Sequence, residues 1–356
     1  MSDPGAAGSD PARLDGRVSH HSEDVPELGD LLAGLRVVSI PMRVRFRGVE
    51  VREAALLHGP SGWGEFSPFL EYEPLEASRW LGAAVEAAYG AWPAPRRTAV
   101  PVNATVPAVT PERVPEVLAR FDGATTAKVK VAEHGQSLQD DVDRVAAVRD
   151  AMGRDGRIRV DANGGWTVDE AVEALGRLSR YGLEYAEQPC ASVEELGALR
   201  RALARAGVDV LVAADESIRK AEDPLRVARE GAADLVVVKV APLGGVRRAL
   251  EVVDACGLPA VVSSALDTSV GMAAGVALAA ALPDLDHACG LGTVALLAGD
   301  VAAPSLVPAG GNLPVVRVDA QEALLARWAA SPGRAQWWRE RVTACHPHLR
   351  GATVDP

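Results

Sequence analysis

Six short apolar runs punctuate the middle of this chain, and each carries a polar residue at its C-terminal end. They are Ala127-Lys128-Val129-Lys130-Val131, Ile158-Arg159-Val160-Asp161, Leu183-Glu184-Tyr185-Ala186-Glu187, Val210-Leu211-Val212-Ala213-Ala214-Asp215, Leu235-Val236-Val237-Val238-Lys239 and Ala260-Val261-Val262-Ser263. From Lys130 through Asp161, Glu187, Asp215 and Lys239 to Ser263 the intervals are 31, 26, 28, 24 and 24 residues. That spacing matches one strand-loop-helix-loop unit of a parallel sheet. The runs are continuous rather than alternating, as expected of strands covered on both faces. Between them lie helical patterns. Residues 167–181 put Val168, Ala171, Val172, Leu175 and Leu178 at three-four spacing. Thr167 with Glu170, and Ser192 with Glu195, predict capping boxes. Asp223-Pro224 predicts a cap followed by proline at the first helical position. Helices over 138–152, 245–256 and 268–282 complete the alternation.

An α/β fold follows. A (β/α) barrel is favoured over an open sheet because one polar group recurs per unit, always where barrel strands converge on the catalytic face. No Gly-x-Gly-x-x-Gly after a first strand and no phosphate-binding P-loop is present. Ahead of the barrel, Val37-Val38-Ser39-Ile40, Val44-Arg45-Phe46-Arg47 and Ala54-Ala55-Leu56-Leu57 predict antiparallel strands with turns at Gly48 and Gly59-Pro60. A helix is expected over 74–92 and another over 328–342. The resulting division is a disordered tail over 1–30, a capping domain over 31–97, a barrel over 98–306, and a segment over 307–356 returning to the capping domain. The tail is rich in Gly, Pro, Ser, Asp and Ala and lacks a signal peptide's basic start and apolar core.

Composition narrows the function. A net charge of −11 and scattered arginines exclude a nucleic-acid surface. No apolar stretch is long enough for a membrane span, and a cytoplasmic location is expected. The cysteines Cys190, Cys256, Cys289 and Cys345 form no C-x-x-C and are expected to be reduced; Cys190 is read as structural. Among 37 basic residues, four are lysines: Lys128, Lys130, Lys220 and Lys239. A lysine at the end of a buried strand needs a partner or a task, and unlike arginine it can lose its proton. The bland alternative is three ammonium groups snorkelling at strand ends. Asp161, Glu187 and Asp215 are an oxygen-only set, suited to a hard cation such as Mg²⁺. Three bare carboxylates together would repel one another, and a cation removes that cost. It would also stabilise the charge formed when a carbon beside a substrate carboxylate loses its proton. Lys128 and Lys130 share a strand face, so each can depress the other's pKa.

These residues carry a resemblance. Lys128-Val129-Lys130, Asp161-Ala162-Asn163, Glu187-Gln188-Pro189, Asp215-Glu216-Ser217 and Lys239 resemble, in order and spacing, the enolase superfamily and its muconate-lactonizing-enzyme subgroup. The likeness spans about residues 35 to 316 and includes Gly64-Glu65-Phe66-Ser67-Pro68. It implies a modified TIM barrel, (β/α)7β, with an α+β N-terminal capping domain. It also implies Mg²⁺, with Mn²⁺ as a substitute, on Asp161, Glu187 and Asp215. Lys130 would be the proton-abstracting base, assisted by Lys128, and Lys239 a second acid/base or a cation over the intermediate. Arg45-Phe46-Arg47-Gly48-Val49, Ser263-Ser264-Ala265-Leu266-Asp267-Thr268-Ser269 and Cys289-Gly290-Leu291-Gly292-Thr293 look most like the actinobacterial o-succinylbenzoate synthase family, Mg²⁺-dependent hydro-lyases of menaquinone biosynthesis. The substrate would be a small carboxylate, with Asn163, Ser263, Ser264 and Arg45 as contacts. Ser263 and Ser264 could equally just end their strand. The rivals are an N-acylamino acid racemase or dipeptide epimerase, a muconate-type cycloisomerase, and a non-catalytic carboxylate-binding relative. Dipeptide epimerases usually show Asp-x-Asp after the last strand, where this chain reads Gly290-Leu291-Gly292-Thr293-Val294. Nothing in the pattern selects an oligomeric state.

Overall fold

The computed structural model describes residues 25–46, 48–219 and 224–351. Residues 1–24 of the tail expected over 1–30, together with Arg47, Lys220 and Asp223, lie outside them. Three antiparallel strands, β1 (Arg36–Phe46), β2 (Val49–Gly59) and β3 (Gly62–Phe66), form the capping sheet. Helix Pro74–Tyr89 packs on it through Ala77, Trp80, Leu81, Ala84 and Ala88, against Phe66 and Trp338. The approach is close at Gly64, where an added Cβ would stand 2.0 Å from the Ala84 carbonyl oxygen.

Strand β4 (Ala99–Pro101) leads into seven parallel strands: β5 (Ala104–Val106), β6 (Thr126–Lys130), β7 (Arg157–Asp161), β8 (Leu183–Glu187), β9 (Leu211–Ala214), β10 (Leu235–Val238) and β11 (Ala260–Val262). Each pairs with its neighbour in chain order. The sheet curls until its edges meet at Cys289 and Gly290. Cys289 N–H donates to Pro101 O at 2.7 Å and Gly290 N–H to Val262 O at 2.8 Å. Asn103 N–H returns to Cys289 O at 2.9 Å. Two residues thus serve as the eighth stave of a modified TIM barrel. Strand β12 (Asn312–Pro314) then pairs antiparallel with β4, and helix Pro332–Cys345 lies against the cap, where Trp338 Nε1 donates to Glu53 at 2.9 Å. Among the described residues no helix is long and apolar enough to cross a membrane.

Several sequence expectations change. Helix Leu28–Ala33 begins inside the stretch read as tail, because Leu28, Leu31, Leu32 and Leu35 give a short apolar face that joins the cap core. The first two predicted cap strands are one strand, β1, with a register shift between Pro41 and Phe46. The helix expected over 328–342 starts later, at Pro332, and runs to Cys345; a separate helix, Glu322–Arg327, precedes it. Between them Ser39 N–H donates to Trp328 O and Ala330 N–H to Val37 O, which pulls the chain onto β1. Ser331 and Pro332 then start the next helix. Beyond Pro224 the helix covers just Arg226–Arg229, with Leu225 at its N-cap position and no side-chain cap. Both predicted capping boxes, at Thr167 and Ser192, form.

The barrel interior is lined by Tyr185, Ala213, Leu235, Val237 and Val261. At its N-terminal end sits a fully buried Arg159. Its guanidinium lies 4.7 Å from the Tyr185 ring centroid and donates to Asn103 Oδ1 at 3.3 Å and Ala288 O at 2.6 Å. Arg159 Nε donates to Glu184 at 2.5 Å. Glu184 would ordinarily alternate away from Tyr185, but the β7–β8 register skips it, since Ile158 faces Leu183 and Arg159 faces Tyr185. The bulge turns its carboxylate to Arg159, and His287 Nδ1 lies 2.9 Å away. Burial alone would raise the Glu184 pKa; His287 and Arg159 outweigh it and hold it at about 2. With a folded pKa below its ordinary value, Glu184 contributes stability that is present above about pH 4.5 and is lost as pH falls toward about 2. Thermal unfolding is therefore expected to show Glu184→Gln below wild type at pH 6, with the gap narrowing steadily toward pH 2.5; a constant gap would refute the linkage.

Candidate active site

Register alone gathers most of the site. Lys130 on β6 pairs with Asp161 on β7, which pairs with Glu187 on β8. Glu187 pairs with Ala213, and Asp215 lies two residues further, on the same face. Lys239 and Ser263 directly follow the paired Val238 and Val262, and Ser263 bridges Gly290. All five charged side chains are buried.

Their contacts alternate in sign. Lys128 Nζ donates to both Glu187 carboxylate oxygens, at 2.8 and 3.0 Å, and lies 3.7 Å from Asp161. Lys130 Nζ is also 3.7 Å from Asp161. Lys239 Nζ donates to Asp215 at 2.5 Å, and Arg219 Nε lies 3.2 Å from the other Asp215 oxygen. Burial pushes the Glu187 pKa to about 7, and Asp161 and Asp215 add to the rise against the pull of Lys128 and Lys239. The charges of Asp161 and Asp215 are thus felt at Glu187. Burial would raise Asp215 too, but Lys239 and Arg219 reverse it and hold that carboxyl below the usual range. For Lys128, Glu187 and Asp161 outweigh burial and raise its pKa, so it is a fixed cation. Burial lowers that of Lys239 against the attraction of Asp215.

Asp161, Glu187 and Asp215 are the residues that could hold a hard divalent cation. Among the described residues, no three acidic, histidine or cysteine groups are drawn close enough to chelate an ion as they stand; ammonium groups take up the carboxylate oxygens instead. The donor set still fits such an ion, being all oxygen, buried and mutually repulsive.

Of the expected substrate contacts, Ser263 and Ser264 line a chamber with Lys128, Asp161, Lys239, Phe46, Phe69 and Leu266. Ser264 Oγ donates to Gly290 O at 2.8 Å and lies 2.9 Å from Thr293 Oγ1. Asn163 Nδ2 donates to Glu216 at 3.1 Å, tying the β7 turn to the β9 turn. Arg45 is exposed on β1, and its neighbour Phe46 forms the wall instead. Burial pushes the Cys190 thiol up to about 12, which leaves it unreactive.

Several supports carry no local sequence signal. Arg144, fully buried, donates to Lys130 O at 2.8 Å and Val109 O at 2.7 Å, while its partner Asp141 accepts from Ala132 N–H at 2.9 Å. Gln188 Oε1 accepts from the backbone N–H of Asp215 at 2.9 Å and of Ser217 at 3.2 Å. Its Nε2 donates to Cys190 O at 2.9 Å and Ser217 Oγ at 2.8 Å. One amide thereby spaces Glu187 from Asp215. Ala132, Asn163, Gln188 and Leu266 have φ of 56°, 46°, 38° and 64°, and each lies just past a barrel strand at this face.

Comparison with known proteins agrees with this geometry. The enolase C-terminal domain-like family matches residues 113–319, and the enolase N-terminal domain-like family matches 37–88. The chain belongs to the enolase superfamily. Within the superfamily it falls in the muconate-lactonizing-enzyme subgroup. It is 62 % identical over 323 residues to the o-succinylbenzoate synthase of Mycolicibacterium smegmatis, covering 90 % of this chain and 98 % of that one. To the protein of that name from Mycobacterium tuberculosis it is 57 % identical over 326 residues, covering 91 % and 97 %. Muconate lactonizing enzyme from Pseudomonas fluorescens shares the fold at TM-score 0.69 and 21 % identity, over 83 % of this chain and 98 % of that one. The superfamily's two-domain plan, cap over barrel mouth, is thus the plan of this enzyme.

Gln188→Ala would leave buried donors and acceptors on two strand ends without partners. We expect it to lose roughly 3 kcal/mol of stability in denaturant unfolding. A loss under about 0.5 kcal/mol would show that water replaces the amide without cost.

Proposed function

We propose that this enzyme is an o-succinylbenzoate synthase. It would dehydrate 2-succinyl-6-hydroxy-2,4-cyclohexadiene-1-carboxylate to 2-succinylbenzoate in menaquinone biosynthesis, using Mg²⁺, with Mn²⁺ as a substitute. The observation that carries the reading is identity of 57–62 % over 90–92 % of the chain to proteins of that name. Two buried lysines on strands four positions apart, with three carboxylates between them, support it.

Asp161, Glu187 and Asp215 would hold the cation. When bound, it supplies positive charge to the substrate carboxylate as the adjacent carbon becomes an anion. Lys130, as the free amine, takes the proton from that carbon. The electron pair then moves into the ring as the carbon–oxygen bond to the hydroxyl breaks. Lys130, now an ammonium on the same face, returns the proton to the departing hydroxide, so water leaves and the ring is aromatic. Lys128 is locked on Glu187 as a fixed cation, and it shares the Asp161 carboxylate with Lys130, each Nζ 3.7 Å away. Lys239 offers a cation from the opposite side of the barrel. The chamber's apolar walls, Phe46, Phe69 and Leu266, exclude water from the anion.

Mg²⁺-dependent loss of the cyclohexadiene carboxylate, followed by ultraviolet absorbance beside an N-succinylamino acid racemisation assay, tests the reading. Fast dehydration with slow or no racemisation is expected. Efficient racemisation without dehydration would move the enzyme to the racemase branch. Lys130→Ala is expected to lower turnover by at least about 10³-fold while calorimetry still records Mg²⁺ binding. Substantial retained turnover would remove Lys130 from the base role.

A further inference from the structure

Behind the chamber, the cap grips the segment that follows β11 through two adjacent strands. From β3, Glu65 accepts from Thr268 N–H at 3.0 Å, Thr268 Oγ1 at 2.6 Å and Gly271 N–H at 3.1 Å, at the start of helix Ser269–Ala281. From β2, Arg52 reaches the turn before that helix. Its Nε donates to Leu266 O at 3.1 Å, and its NH2 donates to Ala265 O at 3.2 Å and Ser67 Oγ at 3.0 Å. The guanidinium also lies 4.9 Å from the centroid of the Phe69 ring. Ala265, Leu266 and Phe69 all line the substrate chamber, whereas Arg52 does not.

Leu266 has φ of 64°. A left-handed, non-glycine residue persists only where its surroundings over-determine it. Here the surroundings are the guanidinium: one planar fork satisfies two successive buried carbonyls and lies against the aromatic wall that faces them. The barrel's own strands do not supply those donors, because β11 ends at Val262.

We propose that Arg52 is a positioning residue for substrate recognition: from the capping domain it fixes the Ala265–Leu266 turn of the barrel and the Phe69 ring of the cap as one wall. The inference rests on the functional reading above, and it adds that the shape of the recognising wall is set by a group that does not itself line the chamber. Loss of the fork lets Leu266 relax toward a right-handed backbone and frees Phe69, so the chamber loses its shape while the lysines and carboxylates keep theirs.

The test uses the full chain with excess Mg²⁺ and follows 2-succinylbenzoate binding by calorimetry, steady-state kinetics and melting temperature. Arg52→Met is expected to weaken 2-succinylbenzoate binding and raise KM by about tenfold, with kcat within about threefold of wild type. Arg52→Lys, which keeps the charge and loses the fork, is expected between the two and serves if Arg52→Met fails to fold. Glu65→Gln disturbs the same interface without touching the two carbonyls; its melting temperature is expected to fall with binding unchanged. Binding by wild type that Arg52→Lys and Arg52→Met leave unaltered would overturn the inference, as would an equal loss of binding in Glu65→Gln. Absence of binding and turnover in wild type itself would instead overturn the functional reading.

Discussion

Mutual repulsion among Asp161, Glu187 and Asp215 is the constraint to which the rest of the molecule answers. Parallel register brings two of them side by side, and the third is two residues past the next paired position. Burial denies them water, so neighbouring cations must do water's work. Lys128, Lys239 and Arg219 do so here, and the residual stress is visible in a glutamate pushed to about pH 7. Any divalent cation bound there competes with these ammonium groups for the same oxygens.

The division of labour between the two basic residue types follows from their chemistry. The described lysines, Lys128, Lys130 and Lys239, all lie at the barrel mouth. Buried arginines do the holding. Arg52 grips three carbonyls, those of Ala265, Leu266 and Ser67, Arg144 two more, Arg159 spans the barrel floor, and Arg219 joins Asp215 to the Tyr72 hydroxyl of the cap at 2.6 Å. A guanidinium offers five donors in a fixed plane and never deprotonates, so it suits cross-linking; an amine can give up its proton, so it suits catalysis.

The sheet and the charged set were readable in the chain because both are periodic. One strand and one polar terminus recur in each unit, and capping boxes such as Thr167 with Glu170 mark helix starts within a few residues. What escaped depends on distant pairs. Arg52 meets Leu266 at a separation of 214 residues, and Glu184 turns inward through a bulge that only its β7 partner defines. The eighth stave is too short, at Cys289 and Gly290, to give any periodic signal. The break at Ala329 arises because the segment pairs with β1, which no local propensity announces. Arg45 shows the reverse: a family motif drew notice to the arginine, whereas Phe46 beside it forms the wall.

Ala132, Asn163, Gln188 and Leu266 have a consequence for how this enzyme could change over generations. Each holds a backbone shape that costs on the order of 1 kcal/mol or more, and all four stand at the same end of the barrel. Robustness and chemistry therefore occupy opposite poles of one scaffold. Mutations that relax the upper rim toward ordinary geometry would strengthen the fold and blunt the enzyme. Those that tighten the lower rim, around Arg159 and Glu184, would strengthen it at no chemical cost. A lineage drifting toward a new substrate can destabilise the first pole only as far as the second can absorb.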